Sequence, residues 1–140
     1  MKILYLEKNQ KANNQIGELI VEELKEYGVD VEILLVDSID AGFKRLEKIE
    51  PEKIEAIICG TFGDRSNAEG KFLGKWTELA NRAKEKGIGF TLITGLPLGE
   101  QTRQGLEEEA IGVIDKGKFE EGLQKFCENL FTPGKERLDA

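Results

Sequence analysis

Four polar stations stand directly after apolar runs, and they hold the side chains best placed for chemistry. Glu7 and Lys8 follow Ile3-Leu4-Tyr5-Leu6. Gly60 and Thr61 follow Ala56-Ile57-Ile58-Cys59. Thr94 and Gly95 close the run that starts at Ile88. Asp115, Lys116 and Gly117 follow Val113-Ile114. The two ammonium groups of Lys8 and Lys116 and the hydroxyl of Thr94 could together bind an anion. The plainer alternative is an ion-pair cluster of the lysines with Glu7 and Asp115. The chain has no histidine, which removes the commonest general base and the commonest transition-metal ligand. Cys59 and Cys127 have no second ligand nearby in sequence, so they read as small buried hydrophobes and not as zinc ligands. No catalytic residue, metal or cofactor is assigned on this basis. No Walker A or G-x-G-x-x-G pattern occurs either.

These stations need a scaffold that brings strand ends together. The apolar runs Ile3–Leu6, Val31–Val36, Ile54–Cys59, Ile88–Thr94 and Ala110–Ile114 lack a helical period and suit strands buried on both faces. Helical spacing lies between them. Ile16, Leu19, Ile20, Leu24 and Tyr27 form one stripe, closed by Gly28. Ser38 caps a second helix with Phe43, Leu46 and Ile49, and Pro51 sits past its end. Phe72, Trp76, Leu79 and Ala83 form a third stripe, which stops at Gly87. Residues 100–109 are a short, weakly apolar fourth helix containing Gly105, and Phe119, Leu123, Phe126 and Leu130 line a fifth. Five β-α units predict an α/β, doubly wound, five-stranded parallel sheet, for which the flavodoxin-like order 2-1-3-4-5 is the commonest arrangement. The domain is expected over 1–131, with 132–140 as a tail or the start of a linker.

The bulk composition agrees with one such domain. The chain has 140 residues, of which 39% are hydrophobic and 34% charged, a globular mixture too apolar for disorder. Its formal net charge of −7 gives no counterion-release advantage on nucleic acid and repels an anionic membrane surface. No apolar run approaches the roughly 20 residues that span a bilayer, and the N-terminus lacks signal-peptide flanks. A cytoplasmic location is therefore expected, with neither nucleic acid nor membrane as a direct partner.

In unit lengths and in two motifs, residues 2–131 resemble the receiver domains of bacterial response regulators. Thr94, closing Phe90-Thr91-Leu92-Ile93-Thr94-Gly95, matches the family's switch threonine or serine. Lys116, in Val113-Ile114-Asp115-Lys116-Gly117, matches the lysine that contacts the phosphoryl oxygens. Three positions depart from the family pattern. Gly117 replaces the usual proline. Glu7-Lys8 stands in place of the acidic pair that holds Mg²⁺. Gly60 occupies the place of the phosphoacceptor aspartate, and neither neighbour, Cys59 or Thr61, is a carboxylate. Phosphoryl transfer to a carboxylate needs that nucleophile and a divalent cation, and Lys8 puts an ammonium where a second carboxylate would help.

The resemblance thus implies a pseudo-receiver. This is a non-catalytic regulatory domain with a degenerate pocket of Glu7, Lys8, Gly60, Thr94 and Lys116, in which Glu7 could pair with Lys8 or Lys116. Such a domain binds a protein partner through helix 4, strand 5 and helix 5, and could also form a homodimer. Two alternatives have weaker support. One is a true phosphoacceptor using a displaced Asp64 or Asp37, both of which read more simply as turn residues. The other is a flavodoxin-like ligand binder, taking an anion or a flavin with Phe62 against the ring. Glu7-Lys8-Asn9-Gln10-Lys11 is not the Ser/Thr/Gly-rich loop that wraps a flavin phosphate.

Overall fold

The computed structural model describes residues 2–8, 10–48, 54–61, 74–95 and 98–131. Strands β1 (Lys2–Leu6), β2 (Glu32–Val36), β3 (Ile54–Gly60), β4 (Gly89–Thr94) and β5 (Gly112–Asp115) alternate with helices α1 (Gln10–Glu26), α2 (Ile39–Glu47), α3 (Lys75–Glu85), α4 (Glu100–Glu108) and α5 (Phe119–Phe131). A single 3₁₀ turn, Lys116–Lys118, leads from β5 into α5. All strand pairings are parallel and the order is 2-1-3-4-5, so the expected α/β, flavodoxin-like arrangement is the one adopted. Among the described residues, no helix is long and apolar enough to cross a membrane.

Period-two alternation divides each central strand between two cores. Leu4 and Leu6 of β1, Ile57 and Cys59 of β3, and Phe90 and Leu92 of β4 pack with Leu46, Trp76, Leu79 and Leu106 from α2, α3 and α4. Ile3, Tyr5, Ile58, Ile93 and Ile114 face the other way, onto Ile20 and Leu24 of α1 and Leu123, Phe126 and Cys127 of α5. Both faces are covered, which is why Ile3–Leu6 of β1 and Ala56–Cys59 of β3 read as unbroken apolar runs. The chain winds one way from β1 to β2 and the other way from β3 to β5. The carboxyl ends of β1 and β3 therefore border the switch-point crevice.

Two features differ from the sequence reading. Leu19 belongs to the helical apolar stripe but is 46% exposed, and Tyr27, past the end of α1, is 41% exposed. Leu19 lies about 100° around the helix from buried Ile20, on the shoulder of the stripe. The fifth strand begins at Gly112, not at Ala110. Ala110 instead ends α4 with φ 61°, and Ile111 N–H donates back to the Leu106 carbonyl at 2.9 Å. The same closure follows α1 at Gly28 (φ 77°) and α3 at Gly87 (φ 72°), where glycine carries the left-handed residue. An L-residue there costs about 1 kcal/mol. Ala110→Gly should accordingly stabilise the protein by up to about 1 kcal/mol in urea denaturation, and a clear loss of stability would contradict this helix end.

Ile49, Phe62, Asp64, Phe72, Leu96, Pro97 and the 132–140 segment lie outside the described residues.

Candidate functional site

β1 delivers Glu7 into the crevice, because its backbone N–H donates to the Val36 carbonyl at 3.0 Å and so extends the β1–β2 ladder by one residue. The Glu7 carboxylate is largely enclosed, its side chain 13% exposed. One oxygen, Oε1, accepts the Lys8 backbone N–H at 3.0 Å. The other, Oε2, lies 3.7 Å from Lys116 Nζ. Gly60, buried at the last position of β3, lies directly beneath this carboxylate. A Cβ there would overlap Oε2 and stand 2.9 Å from Cδ.

Lys116 arrives from the far edge of the sheet. Asp115 organises its approach: Asp115 Oδ1 accepts the Gly117 N–H at 2.9 Å and caps the 3₁₀ turn. The lysine stem then passes over Gly95, where a Cβ would meet Lys116 Cδ at an ordinary 3.7 Å. Lys116 thus spans from the end of β5, across the end of β4, to the β1–β3 junction. Thr94, 4% exposed, closes β4 in register with Asp115. Asp115 Oδ2 takes a second partner, Arg103 Nη2 of α4, at 3.3 Å.

Of the sequence-derived pocket residues, Glu7, Gly60 and Lys116 form one contact group, and Thr94 ends the strand between them. Lys8 is exposed and contributes its backbone N–H to Glu7. Glu7 pairs with Lys116, and Asp115 pairs with Arg103, a residue the sequence reading passed over. Its sequence signal was weak: Arg103 is a lone base on an otherwise acidic or neutral helix.

The electrostatics disfavour a nucleophile here. Burial first, and the Glu7 charge second, push the Cys59 thiol well above its ordinary range. The Tyr5 hydroxyl is raised above its usual range mainly by the same burial, and next by Glu7. Both groups are held neutral at physiological pH, and a neutral thiol is a poor nucleophile. Cys59 Sγ instead contacts the Gly60 carbonyl at 3.2 Å. Among the described residues, no three histidine, cysteine or acidic side chains gather as a metal-ion site. The arrangement neutralises charge in a small enclosed space: one carboxylate, held by one ammonium and one backbone N–H. No family model matches the chain, and neither curated proteins nor solved structures give a match.

Proposed function

We propose that the chain is a non-catalytic, receiver-like regulatory domain that acts by binding a protein partner, without phosphorylation of an aspartate. The carrying observation is the Glu7 carboxylate lying over Gly60 and paired with Lys116. The strand end where a receiver presents its acceptor has no side chain, and an internal carboxylate takes up the cation that would face a phosphoryl group. Phosphoryl transfer lacks its nucleophile in that arrangement.

The surface proposed for the partner is α4, β5 and α5. β5 is an edge strand, and α4 is weakly anchored: its buried residues are Thr102 and Leu106, and its N-cap Gly99 makes no side-chain hydrogen bond. A helix with so small a buried face opens at low free energy, which suits ordering by a partner. The Arg103–Asp115 contact couples α4 to the turn that carries Lys116. A partner that moves α4 would therefore act on the crevice directly.

Incubation with acetyl phosphate and Mg²⁺ should leave the intact mass unchanged. A protein retained by the immobilised chain should be lost with Lys125→Glu on α5 and kept with Glu22→Lys on α1, both exposed positions. A gain of one phosphate would favour a displaced acceptor. Equal retention by the two variants would remove the partner surface from the proposal.

A further inference from the structure

We propose that the strand-end crevice is a carboxylate-binding site whose resident ligand is the chain's own Glu7. The proposal rests on the same crevice as the regulatory reading but on no partner protein.

Three independent features of the crevice fit a carboxylate. First, Gly60 leaves the space. It lies within a strand, where glycine weakens pairing, and its φ is not among the positive ones, so backbone conformation does not require it. What requires it is the close approach of Glu7, whose Cδ would lie 2.9 Å from a Cβ at this position. Second, two donors converge on that space from different parts of the chain. Lys116 Nζ faces Oε2 at 3.7 Å, and the Lys8 backbone N–H faces Oε1 at 3.0 Å. Third, the carboxylate side is the more enclosed and the lysine side the more open, with 13% and 36% side-chain exposure respectively. An enclosed carboxylate is tolerated only with such partners, and removing it leaves Lys116 and an N–H facing a vacated space. Replacing Glu7 with alanine removes one methylene and one carboxylate, the heavy atoms of acetate.

Chemical rescue tests this. Glu7→Ala should lower the thermal midpoint by on the order of 4 °C, the size expected for the loss of one such interaction. Sodium acetate should restore at least half of that loss relative to sodium chloride at equal ionic strength, with no comparable shift in the unaltered protein. Moving the carboxylate supplies the second arm. Gly60→Asp alone should be destabilising, because two carboxylates would compete for one space and one lysine. Glu7→Ala combined with Gly60→Asp should then melt above Gly60→Asp alone. Acetate shifts that are equal in Glu7→Ala and the unaltered protein would overturn the proposal. So would a double variant whose loss equals the sum of the two single losses. If Gly60→Asp does not fold, the acetate comparison decides alone. Failure of the α4–α5 partner surface would leave both readouts untouched, so the two proposals fail separately.

Discussion

Trp76→Ala should lower the unfolding free energy by about 3–5 kcal/mol, the usual cost of emptying a large aromatic site in a packed core. Trp76 is 1% exposed on the inner face of α3 and stacks on Phe90 of β4, with ring centroids 6.0 Å apart and planes 11° from parallel. Leu79, Ala80 and Ala83 complete that face of the helix. A domain of this size has roughly 5–15 kcal/mol in total, so the variant should lose a large share of its stability. Trp76→Phe keeps an aromatic plate against Phe90 and should lose clearly less. Urea denaturation followed by far-UV circular dichroism, which does not depend on the indole, gives both values. A cost for Trp76→Ala below about 1 kcal/mol, typical of a surface change, would show that α3 does not dock as described.

The second large effect concerns a single substitution made at three helical glycines. In an isolated helix, Gly→Ala is worth up to about 1 kcal/mol in favour of alanine. Gly105→Ala on α4 should realise that gain, since nothing lies within 4 Å of the added Cβ. Gly42→Ala on α2 should reverse it. Its Cβ would overlap Leu6 Cδ2 and stand 3.2 Å from Leu6 Cγ, and Leu6 is fully buried. Gly122→Ala on α5 should also lose, because its Cβ would lie 3.1 Å from the backbone Cα of Ile114. Overpacking costs about 1–3 kcal/mol. Net of the helical gain, losses of up to about 2 kcal/mol are expected at Gly42 and Gly122. Midpoints and slopes from urea titrations of the three variants check the ordering. A gain at Gly42 or Gly122 equal to that at Gly105 would contradict the helix–sheet distances.

Local pattern alone determined a good deal of this protein. The uninterrupted apolar runs Ile3–Leu6 of β1 and Ala56–Cys59 of β3 signalled strands covered on both faces, because a strand with one wet face must alternate. The spacing of Ile20, Leu24, Leu46, Leu79, Leu123 and Phe126 located the helical faces, since 3.6 residues per turn is a property of the chain itself. Ser38 marked the start of α2 correctly: its hydroxyl accepts the Ala41 N–H at 3.0 Å. From five such units the parallel sheet and its carboxyl edge followed, and with them the strand-end positions of Glu7, Lys8, Gly60, Thr94 and Lys116.

What the tertiary structure decided are relations between residues far apart in the chain. Glu7 could meet Lys8 or Lys116 on sequence grounds, and the choice of Lys116 depends on its stem crossing Gly95 from the β5 end. Asp115 meets Arg103 because α4 packs beside β5, a docking that no local period encodes. Leu19 carries the spacing of a core residue but sits on the exposed shoulder of α1, because the width of the buried stripe is set by what packs against it. Gly42, Gly105 and Gly122 are indistinguishable as helical glycines until the distance from each helix to the sheet is known. Periodicity reports the direction in which a side chain points from its own backbone. Contact depends on where a second backbone lies, and that position is set by the packing of all the layers together.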